Sequence, residues 1–107
     1  MAIEKLWTPH NDYIKQSHLY HFICTVTEKY GLDIDSYNDL HNWSIHNLDL
    51  FWKEFTDFAS IYWHKKPKQA VYLDKDIRKA RWFEGGLLNF SENLLSRNDE
   101  HDALISV

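Results

Sequence analysis

At 107 residues the chain has room for one domain with a modest core, burying about 60–70% of the surface its unfolded form exposes. Hydrophobic residues make up 44% and charged residues 26%, a balance that excludes a disordered tail. A net charge of −4 argues against a nucleic-acid partner, and a single cysteine excludes an internal disulfide and a Cys-rich zinc site.

Met1 to Lys5 carries no apolar leader, and no run approaches the ~18 apolar residues of a membrane span. The expectation is a cytoplasmic protein without a membrane partner. Aromatic residues reach 16%, enough ring area for a core of large side chains or for a docking face.

Taken in chain order, Thr8 before Pro9 reads as an N-cap with proline at the first helical position, predicting a short helix from Pro9 to Lys15. Ser17 caps the next. There Leu19, Phe22, Ile23, Val26 and Tyr30 recur at helical spacing, and Gly31 suits a left-handed C-terminal position, so the spacing predicts a helix over 18–30. Cys24, inside this apolar stretch, reads as a buried and inert thiol. Ser36 caps a short helix up to Trp43, and Asn47 caps the most amphipathic one. The apolar stripe of that helix is Leu48, Phe51, Trp52, Phe55, Phe58 and Tyr62, with Lys53, Glu54 and Asp57 off it.

Residues 64–69 surround Pro67 and read as a loop, 70–73 as a short extended piece, and 74–79 as a polar turn. Gly85 and Gly86 suit positive φ angles. Asn89 with Glu92 reads as a capping box opening a helix through Phe90, Leu94 and Leu95. Arg97 to Asp102 is a charged linker, and Ala103 to Val107 has strand character with no partner strand in the chain. From that ending we expect the natural polypeptide to continue. The fold class expected is mainly α: a small irregular domain of four to five helices with at most short extended segments.

No constellation of residues supports chemistry. His18 and His21 lie three apart on a helix, but no cysteine or paired carboxylates complete a metal site; the remaining five histidines are scattered and read as surface groups. No serine sits in a nucleophile elbow, and the two adjacent glycines match neither phosphate-binding pattern. Asp33 with Asp35, and Asp74 with Asp76, read as solvated turn residues. The basic run His64, Lys65, Lys66, Lys68 reads as a solvated loop. Catalytic, cofactor-binding and metal residues are therefore expected to be none.

The string ARWFEGGLLNFSENLL, Ala80 to Leu95, is more specific. It resembles the segment preceding the large domain of adenylate-forming acetyl-CoA synthetase-like ligases, through Trp82, Phe83, Gly85, Gly86, Leu88, Asn89 and Asn93. LWTP at Leu6–Pro9, KYGL at Lys29–Leu32, DLHNWSI at Asp39–Ile45 and FWKEFTDF at Phe51–Phe58 are similar to the acetoacetyl-CoA synthetase branch. Glu84 departs from the proline expected there, and Gly86 from a common alanine.

The resemblance implies a non-catalytic N-terminal cap over residues 1–98, then a linker and first strand of the large domain over 99–107. It implies a parent ligase that converts acetoacetate, ATP and CoA to acetoacetyl-CoA, AMP and pyrophosphate. ATP, Mg²⁺ and coenzyme A belong to that parent, and none is implied for this segment. The implied partner is the large adenylate-forming domain of the same polypeptide. Trp82, Phe83, Leu87, Leu88, Phe90, Leu94, Leu95, Leu104 and Ile105 are the docking residues expected to meet it. Two alternatives stand beside this reading: the N-terminal domain of an acetyl/propionyl-CoA synthetase-like ligase, and a stand-alone helical interaction module. A small metal-dependent enzyme built on the histidines is a third class. If the histidines are solvated surface groups, dialysis against EDTA leaves the far-UV circular dichroism unchanged and elemental analysis finds no bound metal; a loss of helix on chelation would contradict this.

Overall fold

The computed structural model describes residues 3–107. Among them are α1 (Asn11–Lys15), α2 (His18–Tyr30), α3 (Tyr37–His46), α4 (Leu48–Phe58), β1 (Val71–Tyr72), a 3₁₀ turn (Ile77–Lys79), β2 (Arg81–Trp82) and α5 (Phe90–Leu94). The class is mainly α, with a single two-stranded sheet among the described residues.

Local chemistry sets most of these boundaries. The Ser17 hydroxyl accepts from Tyr20 N at 3.2 Å, and Gly31 ends α2 at φ 62°, ψ 40°. Ser36 caps α3 by accepting from Asp39 N, and the Asp39 carboxylate accepts in turn from the Ser36 hydroxyl at 2.8 Å. Ser60, at φ 55°, ends α4 in the position glycine usually fills, so Tyr62 lies beyond the helix that its spacing suggested.

Three expectations need correction here. α1 begins at Asn11, with the extended His10 as N-cap and no side-chain cap; proline pushes the residue before it out of helical geometry, and Thr8 and Pro9 lie outside the helix. α3 runs past Trp43 to His46. Asn47 does precede α4, but it also ends α3: its side-chain amide donates to Trp43 O at 3.0 Å and leaves α4 without a side-chain cap.

The core is where α2, α3 and α4 meet. Phe22, Val26 and Leu40 are buried, with Ile23, Tyr30, Trp43, Phe51 and Phe58 packed around them. Phe22 meets Phe51, Phe55 and Phe58 edge-on, at centroid separations of 5.8, 6.1 and 5.4 Å. Each fully buried side chain of this size contributes about 1.5–3 kcal/mol. A second layer lies on α4, where Ala70 and Val71 are buried and Val71 N donates to Asp49 Oδ1 at 2.9 Å. β1 and β2 pair antiparallel, Val71 opposite Trp82, which brings the Trp82 ring to 5.6 Å from Trp52.

Two side chains are the reverse of what the stripes implied. Cys24 is exposed: two residues after Phe22 and two before Val26, it sits about 200° around the helix from the core face. Glu54 is only 4% exposed. Lys29 Nζ donates to its Oε1 at 2.7 Å and Tyr30 Oη at 2.6 Å, so the carboxylate enters the α2–α4 seam already paired.

Burial alone would push the Glu54 carboxyl up, but the hydrogen bonds from Lys29 and Tyr30 outweigh it and hold the group below its ordinary range. Burial first, and the Glu54 bond second, raise the Tyr30 phenol. In acid, folded Glu54 therefore binds fewer protons than unfolded Glu54 does. Its contribution is present above about pH 4.3, the unfolded value, and is lost as pH falls through the depressed folded value. Glu54→Gln should lower stability at pH 7 by about 1–3 kcal/mol and flatten the acid limb of the stability curve. Urea unfolding at pH 7 and pH 3.5 checks both; an unchanged acid limb would refute the assignment.

Candidate docking surface

Residues 62–95 form a second, less buried unit anchored on α4. Trp63 and Phe83 pack with ring centroids 5.6 Å apart. Phe83 adopts φ 48°, a conformation that costs a bulky residue about 1–3 kcal/mol and persists only where its surroundings over-determine it. Here Phe83 N donates to Ala70 O at 2.7 Å, and Phe83 O accepts from Gly86 N at 3.0 Å. Gly85 takes the expected positive φ. Gly86 does not; its requirement is space, since a Cβ there would lie 2.9 Å from the Trp63 ring. Trp63 and Pro67 fill the space on the Gly86 side of this corner.

Beyond the corner, Lys65 and Leu87 form an antiparallel bridge, and Leu87 O also accepts from His64 N at 2.8 Å. Asn93 then ties α5 to the end of this loop. Its Oδ1 accepts from Tyr62 N at 2.7 Å, and its Nδ2 donates to Tyr62 O at 3.0 Å and to Asn89 O at 3.0 Å. Asn89 caps α5 through Glu92 N at 3.0 Å. The capping box is half made, because the Glu92 carboxylate pairs with His64 Nε2 at 2.7 Å instead of returning to Asn89. The spacing of Asn89 and Glu92 predicted the cap; nothing local pointed to Asn93 as the clamp, since Tyr62 is distant in sequence.

These contacts fix backbone and leave apolar side chains facing outward. Leu87, Leu88, Phe90, Leu94 and Leu95 are all exposed, Phe90 and Leu95 at 74%. Trp82 and Phe83 have internal partners, Trp52 and Trp63, and Trp82 still shows about half its surface. Leu104 and Ile105 are 96% and 80% exposed, and residues 103–107 form no strand, a state that requires a hydrogen-bonded neighbour. In the linker before them, Arg97 donates to Asp99 at 2.6 Å and holds that carboxyl below its usual range.

The histidines do not converge. His21 contacts Lys15 O, His46 contacts Asn42 O, and His64 contacts Glu92. No group of three His, Cys, Asp or Glu among the described residues could hold a metal ion. What the arrangement offers is an apolar face on a braced scaffold.

The family described as acetyl-coenzyme A synthetase N-terminus matches residues 37–94, from α3 through α5. Acetoacetyl-CoA synthetase of Gallus gallus is 33% identical over 100 residues, covering 92% of this chain. Malonamoyl-CoA synthetase vrtB of Penicillium aethiopicum is 37% identical over 101 residues, covering 87%. The structure of acetoacetyl-CoA synthetase from Streptomyces lividans superposes with a TM-score of 0.77 at 29% identity, over 86% of this chain. The chain spans 15%, 14% and 14% of those proteins' own lengths.

Asn93→Ala should lower stability by about 1–2 kcal/mol, the scale of the hydrogen bonds it removes. The Tyr62 amide should then exchange with solvent faster, while amides in α2 are unchanged. Retained Tyr62 protection would mean that the clamp is not what holds α5.

Proposed function

From its membership of the acetyl-coenzyme A synthetase N-terminus family, to which the chain belongs by the match over residues 37–94, we propose that it is the non-catalytic N-terminal domain of an acid–thiol ligase. The observation that carries this is coverage: the similarity takes in nearly all of this chain and about 15% of each relative. On this reading the whole enzyme joins acetoacetate to coenzyme A, using ATP with Mg²⁺ and releasing AMP and pyrophosphate. On the same reading, adenylate binding and the catalytic groups belong to the larger part of the enzyme.

The domain's role is mechanical. Leu87, Leu88, Phe90, Leu94, Leu95, Leu104 and Ile105, with the open side of Trp82, dock on the adenylate-forming domain that follows. Phe83 serves by bracing the corner from which they project. So many exposed large side chains are a liability on a free surface and an asset on a buried one. We place the ligase in the cytoplasm; no helix among the described residues is long and apolar enough to cross a membrane.

A second acid deserves a test, because a malonamoyl-CoA synthetase is as similar to this chain as the acetoacetyl-CoA synthetases are. The full reading frame should release pyrophosphate with ATP, coenzyme A and acetoacetate, and less with acetate, propionate or malonamate. The 107-residue chain should release none. Activity in the short chain would overturn the non-catalytic reading, and preference for another acid would reassign the substrate.

A further inference from the structure

Charge is unevenly spread along the chain. Residues 60–83 hold seven of its twelve Lys and Arg but only two of its sixteen Asp and Glu. Four of the seven, Lys75, Arg78, Lys79 and Arg81, lie on or beside residues 73–80, the connection from β1 to β2. That connection is the tip of the hairpin, at the end of the ladder opposite Phe83. Both acids of the tip are engaged in shaping it. Asp74 Oδ1 accepts from Asp76 N at 2.9 Å, and Asp76 accepts from Arg78 Nε at 3.0 Å and Nη2 at 2.9 Å. Arg81 is paired as well, donating to Glu84 at 3.1 Å and lying over the Tyr72 ring at 4.6 Å. Lys75 and Lys79 are exposed and join no ion pair among the described residues. They stand two residues to either side of Ile77, which is 86% exposed, and Leu73 is 61% exposed. The tip thus sets two free ammonium groups around two aliphatic side chains in the open.

We infer that this tip is a peripheral contact for an anionic phospholipid surface. Ile77 and Leu73 enter the boundary between headgroups and acyl chains, while Lys75 and Lys79 meet the lipid anions. The inference does not depend on the ligase reading. The expectation of no membrane partner came from whole-chain charge and the lack of a long apolar run, and neither registers a local surface. The molecule extends 47 × 46 × 31 Å, whereas charges are screened over ~8 Å at physiological salt, so a net charge of −4 does not decide what one tip presents. The aliphatic side chains choose a bilayer over other anions. A free phosphate would engage the lysines and leave Leu73 and Ile77 in water. A nucleic acid has no apolar layer to receive them, and residues 73–80 carry no ring on which a base could stack. With two free lysines and two aliphatic side chains the binding is weak and reversible, each lysine contributing about fivefold.

Flotation of the full-length protein with phosphatidylcholine vesicles, made with and without phosphatidylserine, is the test. The protein should float with the serine-containing vesicles alone, and ~1 M salt, where screening acts over ~3 Å, should abolish this. Lys75→Gln combined with Lys79→Gln should weaken binding at least tenfold, and Ile77→Ser several-fold. All three side chains are exposed, so circular dichroism should not change. Lys5→Gln combined with Lys15→Gln, equally exposed but near the N-terminus, should leave binding as it is. Failure to float with either vesicle overturns the inference, as does equal flotation with both. Flotation that the tip variants leave intact overturns it too. Capture of a uridine homopolymer in place of vesicles, lost in the same variants, assigns the tip to nucleic acid and overturns the lipid contact.

Discussion

The structure depends on one helix being usable from two sides. α4 presents Phe51, Phe55 and Phe58 to Phe22 of α2, while Asp49 on another side receives the backbone of β1. The first set is a hydrophobic stripe; the second is a single hydrogen bond that starts the layer of residues 70–95. Glu54 stands on the same helix, closing the seam to α2 with a carboxylate held by Lys29 and Tyr30. A buried acid is a poor source of net stability, but once placed it is costly to leave unpaired, and that penalty fixes how α2 lies on α4.

What α4 gathers is thin by the standards of a free domain. The radius of gyration is 17.7 Å, where a compact chain of this length has about 13 Å. Val26 is the fully buried side chain of the core, and leucines, phenylalanine and isoleucine from residue 87 onward stand in the open. Such an excess of outward apolar surface is what the proposed docking on a larger body would cover. The order in the second layer comes from hydrogen bonds, the buried Ala70 and Val71, and the ring pairs Trp63–Phe83 and Trp52–Trp82, and from residue 87 to 95 it presents apolar side chains without burying them.

The strained Phe83 fits this division. Its left-handed backbone turns the chain out of β2, and its ring against Trp63 compensates by holding the corner closed. The fold then delivers Leu87 to the Lys65 bridge and Asn93 to Tyr62. The result is a backbone held by hydrogen bonds from which apolar side chains project.

Sequence by itself determined the helices whose ends are chemically marked. Ser17 and Gly31 bounded α2, Ser36 opened α3, Asn89 opened α5, and the Phe spacing identified the core face of α4, because caps and 3.6-residue periodicity are local and act within a few residues. Cys24 was misread, although the same periodicity places it opposite Phe22 and Val26. The exposed leucines from Leu87 to Leu95 were legible as residue types and not as a surface. Only tertiary structure decided the burial of Glu54, the clamp of Asn93 on Tyr62 and the spatial need for Gly86. Each depends on a partner supplied by another segment: Lys29 and Tyr30 for Glu54, Tyr62 for Asn93, Trp63 for Gly86. A polar side chain has the same local pattern whether it meets water or a hydrogen-bonding partner, and the fold alone chooses between them.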